Sequence, residues 1–95
     1  MFAVIFRAEI AQLDDQYLAT ANVLRDRAIK DYGCQEFNAW TEGNREIAIS
    51  YWESLEQIAN WKADPAHQRA QQEGRARWYK HYNVQVVEVL REYGS

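Results

Sequence analysis

The sequence predicts an α+β fold: a split βαβ sandwich, with one four-stranded antiparallel sheet and helices on a single face. Three observations carry that expectation. Stretches with the two-residue period of a strand and stretches with the 3.6-residue period of a helix follow the order strand, helix, strand, strand, broken helix, strand. Residues that cap or turn the backbone stand between them. At 95 residues, 47% hydrophobic and 14% aromatic, the chain has material for one core and not two. Residues 1–95 are therefore expected to form a single domain.

FAVIFRAEI, residues 2–10, begins almost continuously apolar and then alternates, the pattern of a strand whose first half is buried on both faces. Phe2, Val4, Phe6, Ala8 and Ile10 share one face; Ala3, Ile5, Arg7 and Glu9 share the other. The period then becomes helical, because Tyr17, Ala21, Leu24, Ala28 and Tyr32 recur at steps of three and four and make one apolar stripe. Asp14 is placed to cap this helix, Leu13 to staple onto Leu18, and Gly33 to supply a left-handed C-terminal cap. A hairpin follows, with Phe37–Thr41 and Glu46–Trp52 as strands around Glu42-Gly43-Asn44. On its second strand Ile47, Ile49 and Tyr51 alternate with Glu46, Ala48, Ser50 and Trp52. Ser54 opens a second helix, with Gln57 three residues on as a capping box requires. Asp64-Pro65 ends that helix and starts a third, expected to run to about Tyr79. The last strand is read within YNVQVVEVLREY, residues 82–93, whose valines are spread over both faces.

Helices can cover only one side of such a sheet, yet its first and last strands are apolar on both. The economical cover for the other side is a second copy packed sheet to sheet, so a homodimer is expected.

Net charge is −3, with no block of like charges. Arg69, Arg75, Arg77 and Lys80 come nearest to a basic stripe, but Glu73 and a run of glutamines interrupt them. A solvated helix face is the better account, and no nucleic-acid partner is expected. Cys34 stands alone, so no internal disulfide can form, and no base lies close to it in sequence to make it a nucleophile. No stretch approaches the ~20 apolar residues that span a bilayer, and MFAVIFRAEI lacks a basic leader and a cleavage site. No membrane partner and a cytoplasmic location are the expectations.

Chemistry-bearing residues concentrate toward the C-terminal half. His67, Gln71, Gly74, Trp78 and His81 stand at steps of four, three, four and three, so on a continuous third helix they would share one face. Gly74 inside a helix costs roughly 1 kcal/mol against alanine, which argues for close backbone approach or for room beside a ligand. Trp52, Trp61, Trp78 and Tyr79 are either plain core, with indole N–H groups bonded to carbonyls, or part of a cavity wall together with His67 and His81. No metal is expected: the two histidines lie fourteen residues apart, and no cysteine or carboxylate cluster supports them. Glycine-rich phosphate loops and a nucleophile elbow are absent too.

The run REIAISYWESLEQIANWKADPAHQRAQQEGRARWYKHYNVQVVEV resembles the antibiotic biosynthesis monooxygenase family, most densely in W-E-S-x-E-x-I-x-x-W-K, D-P-x-H and W-Y. The resemblance extends over essentially the whole chain. It implies a ferredoxin-like fold paired into a dimeric α+β barrel, and an oxidoreductase chemistry that varies within the family. Some members oxidise polyaromatic phenols with dioxygen and no metal or flavin, some degrade haem, and others do neither. The haem-degrading relatives use an asparagine on the first strand, a tryptophan near the second helix and a histidine ten residues later. Trp61 matches that tryptophan, but Arg7 stands in place of the asparagine and Gln71 in place of the histidine. The resemblance therefore implies cofactor-independent monooxygenation of a small aromatic or quinol-type molecule, with no cofactor.

Such chemistry asks for an apolar cleft, a base for a phenol, and contacts that hold the resulting anion. His67 and His81 are the candidate bases, since histidine titrates near neutrality. Trp61, Trp78 and Tyr51 are the candidate stacking surfaces, and Asn38 or Arg7 the candidates to steady the anion. The competing expectation is a non-catalytic dimeric binding or structural module of the same fold. Cavity size separates the two: ~300 Å³ or more, reached by a histidine, favours the enzyme, and a filled interior favours the module.

Overall fold

Helices in this chain begin where a short polar side chain can take an otherwise unpaired backbone N–H. Asp14 accepts from the Tyr17 amide at 2.8 Å and opens α1 (Asp15–Asp31). Ser54 accepts from the Gln57 amide at 3.2 Å while the Gln57 side chain returns to the Ser54 amide, a complete capping box at the head of α2 (Leu55–Lys62). Asp64 caps α3 (Pro65–Glu73) through the Ala66 amide, with Pro65 where a missing N–H costs nothing. The computed structural model describes residues 1–94.

The strands are β1 (Phe2–Ile10), β2 (Glu36–Glu42), β3 (Arg45–Trp52) and β4 (Tyr79–Glu88). They form one antiparallel sheet in the order β2-β3-β1-β4, the ferredoxin-like α+β topology expected. Gly33, at φ +83°, turns the chain out of α1, and the Cys34 amide bonds back to the Ala28 carbonyl. A Cβ on Gly33 would lie 2.5 Å from the end of the flexible Gln57 side chain, which can shift, so it is the positive φ that calls for glycine. Glu42 pairs directly with Arg45, leaving Gly43 (φ +60°) and Asn44 as a two-residue turn.

The core lies between the helices and the sheet face that carries Phe2, Val4, Phe37 and Trp52. Trp52 is fully buried, with its indole N–H on Ser50 Oγ at 2.9 Å. Trp61 packs on it at 5.2 Å between ring centroids and donates to the Leu24 carbonyl of α1. Val4, Ala28, Cys34 and Ile58 complete this cluster. Buried Asp64 ties α1 to the α2–α3 break, accepting from Arg27 at 2.9 Å and from the Tyr32 hydroxyl. The Tyr32 hydrogen bond, opposed in part by burial and joined by the Ala66 amide and Arg27, lowers its carboxyl to about 2.

Four expectations are corrected. The third helix does not continue to Tyr79: α3 stops at Glu73, and Gly74–Trp78 form one π-helical turn leading into β4. Gly74 makes room for neither a backbone nor a ligand, since a Cβ there would meet the Tyr79 ring at 2.7 Å. The last strand accordingly begins at Tyr79 and ends at Glu88, earlier at both ends than the valine pattern indicated. Leu13 and Leu18 are both exposed, at 44% and 61%, so the expected staple buries little.

Candidate functional site

The early start of β4 decides which side chains meet. Glu9 pairs with His81 but Ile10 pairs with Tyr79, so the register shifts and Lys80 is left as the extra residue. Tyr79 and Tyr82, three apart, therefore both line the helix side of the sheet, while His81 turns to the open side.

Between helices and sheet lies a cavity of about 210 Å³. Val4 and Phe6 of β1, Leu24 of α1, Phe37 of β2, Ile58 of α2 and Val84 of β4 form much of its apolar wall. Trp61 and His67 enter the lining together, ring centroids 4.4 Å apart and nearly perpendicular. Burial lowers the His67 pKa, which keeps the imidazole neutral and able to accept a proton. Its Nδ1 is buried without a hydrogen-bond partner among the described residues. Lys62 and Gln71 also reach the lining.

A second polar group enters the cavity from β3 and α1. The Tyr17 hydroxyl donates to Glu46 Oε2, and the Tyr79 ring stands edge-on to Tyr17 at 6.0 Å. Burial raises the Glu46 carboxyl above its ordinary range, with the Tyr17 hydrogen bond opposing. Burial and the bond to Glu46 push the Tyr17 hydroxyl well up, and burial pushes Tyr79 up to about 12. Both phenols therefore remain protonated, and the carboxyl is the accepting partner.

The structure divides the residues singled out from sequence. Trp61 and His67 meet in the cavity. Trp78 is buried behind it, edge-on to Tyr17 at 5.2 Å, and its Nε1 lacks a partner among the described residues. Arg7, Asn38, Tyr51 and His81 lie on the open face of the sheet, as their pairing shows: Asn38 opposite Ile49, Tyr51 opposite Ala3, Arg7 between Ile47 and Asn83. Arg7 donates there to Gln85 at 3.2 Å, and His81 Nε2 is 2.8 Å from Glu9. Arg7 and His81 line a separate polar depression of about 560 Å³. The expectation that both histidines share an inward helical face is thus corrected, because His81 belongs to a strand.

Sequence reasoning passed over Tyr17, Glu46 and Lys62 as site residues, while Tyr79, named as a possible cavity wall, does line the cavity. Glu46 did carry a signal: it alternates with Ala48, Ser50 and Trp52, which places an acid in an inward row. Among the described residues no three His, Cys, Asp or Glu side chains gather as a metal site. No described helix is long and apolar enough to cross a membrane.

Solved structures share this architecture. A crystal structure of an antibiotic biosynthesis monooxygenase superimposes with TM-score 0.80 at 15% identity, over 96% of this chain and 100% of that one. SnoaB, a cofactor-independent oxygenase from Streptomyces nogalater, gives 0.80 at 10% identity, over 99% and 97%. The fold is that of the antibiotic biosynthesis monooxygenases, as the resemblance implied. No protein-family model matches the chain. The uncharacterized protein YqjZ of Bacillus subtilis (strain 168) is 34% identical over 92 residues, which cover 96% of this chain and 81% of YqjZ. The chain belongs to the same family as YqjZ.

Proposed function

We propose that the protein is a cofactor-independent monooxygenase acting on a small aromatic or quinol-type substrate held in the inner cavity. The observation that carries this reading is an apolar cavity with a neutral, partly unpaired His67 set against Trp61. An oxygenase of this kind needs no more from the protein than a dry pocket, a base and an orienting surface. His67 takes the phenol proton: the substrate O–H bond breaks, its electron pair stays on oxygen, and an N–H bond forms on the imidazole. The phenolate then gives an electron to dioxygen. Trp61 stacks against the flat ring, and Lys62, the cation in the lining, steadies the anion in the role expected from sequence of Arg7 or Asn38. The fold shared with SnoaB agrees with this chemistry.

The open sheet face completes the proposal. Ile47, Ile49 and Tyr51 lie there half-buried, and Trp40 is 54% exposed. A second copy covering that face makes the working unit a homodimer.

Oxygen uptake with a panel of dihydroxy-aromatics tests the activity. Uptake that falls at least ~100-fold in His67→Ala, as expected for loss of a general base, and persists in His81→Ala supports it. Equal rates in all three proteins remove histidine from the chemistry. One observation favours the binding-module reading: at about 210 Å³ the cavity is smaller than the ~300 Å³ at which ligand pockets ordinarily begin. Tight binding of an aromatic with no oxygen uptake by the native protein decides for that module.

A further inference from the structure

Glu46 is the residue common to the linings of the inner cavity and the outer polar depression. An acid in an inward strand row is costly unless something uses it. Tyr17 donates to Oε2, and no hydrogen bond reaches Oε1 among the described residues. The neighbouring inward positions Ala8, across on β1, and Ala48, two along on β3, are small and apolar, and Thr41, across on β2, makes no side-chain hydrogen bond to it among the described residues. The carboxyl therefore has spare accepting capacity at an otherwise apolar wall.

We propose that Glu46, oriented by Tyr17, is the hydroxyl-recognising group of the cavity and that the ligand is a phenol of one or two rings. This rests on the cavity being the ligand site, but not on oxygenation. The size limit follows from volume: an apolar cavity of ~150 Å³ holds one benzene ring, and about 210 Å³ leaves room for a second fused ring but not a third. The chemical preference follows from the carboxylate, since a phenol O–H can donate to it and an aromatic hydrocarbon cannot. Burial, which raises the carboxyl, also strengthens a hydrogen bond made to it.

Quenching of tryptophan fluorescence, with Trp61 in the lining as reporter, gives affinities for 1-naphthol, naphthalene and a three-ring anthracenol. The native protein is expected to bind naphthol about 10-fold or more tighter than naphthalene, the ratio of one charge-assisted hydrogen bond. Glu46→Leu should bring that ratio close to one while keeping naphthalene affinity, and Glu46→Gln, which retains an acceptor for Tyr17 if the leucine variant fails to fold, should reduce it. His81→Ala, outside the inner cavity, should leave it in place. Naphthalene and naphthol bound alike by the native protein, or a ratio untouched in both Glu46 variants, overturns this inference and leaves the cavity as a ligand site. Anthracenol bound as tightly as naphthol overturns the size limit. Binding of none of the three overturns both this inference and the function proposed above.

Discussion

Glu46 and Asp64 are both inward-facing acids, and their surroundings push them in opposite directions. Burial raises Glu46, with Tyr17 opposing. A carboxyl raised in the folded state contributes stability that is full below its unfolded value and is lost as pH rises through the folded one. Glu46→Gln should therefore raise the melting temperature by a few degrees near neutrality, and native and variant curves should converge in acid. Melting curves across pH check this, and a variant less stable at neutral pH contradicts it. For Asp64, the hydrogen bond from Tyr32 comes first among the causes that lower the carboxyl, to about 2. Its contribution is present above the ordinary 3.8 and is lost as pH falls toward about 2. Asp64→Asn should flatten the acid limb of the stability curve in that window and leave Glu46 behaviour unchanged. Pairing with half-exposed Arg27 is the weaker support, so Arg27→Ala should flatten it less.

At the level of elements, the caps were readable and the end of the last helix was not. Asp14, Ser54 with Gln57, and Asp64-Pro65 act locally, so their roles follow from neighbours in sequence. The stop at Glu73 depends on a longer-range fact: Tyr79 folds its ring onto Gly74 and its amide onto the Gly74 carbonyl. The spacing of His67, Gln71, Gly74, Trp78 and His81 matched a helix by coincidence, because the turn and the shifted register of β4 replace its last steps. Gly74→Ala is expected to destabilise by about 1–3 kcal/mol, the usual cost of forcing a group into a packed site, despite alanine's better helix propensity. Urea denaturation measures it, and a gain in stability sinks this account of the turn.

For the whole molecule, one sheet has one face under three helices and the other open. The inner face holds Trp52, with Trp61 of α2 packed on it, and the cavity; the open face holds Ile47, Ile49 and Tyr51 with Arg7, Asn38 and His81 around them. Two chains paired across it would remove that apolar surface from water, at roughly 25 cal/mol per Å² buried. Sedimentation at micromolar concentration should give the mass of two chains, and Ile49→Lys with Trp40→Glu should give one chain with the same far-ultraviolet circular dichroism. A native monomer at that concentration sinks the paired barrel.

Sequence by itself determined the element order, the caps, the hairpin turn and the sheet class, since each depends on residue period or on a backbone preference set within a few positions. It also named Trp61 and His67 among the residues that could share a cavity wall, and the tertiary structure decided that they meet there. Only the tertiary structure decided that His81, Arg7, Asn38 and Tyr51 face away from the cavity and that Tyr17 and Glu46, from a helix and a strand 29 residues apart, meet inside it. Strand register was the deciding quantity: a slip of one residue exchanges the two faces of a sheet, and no local pattern near His81 records the slip.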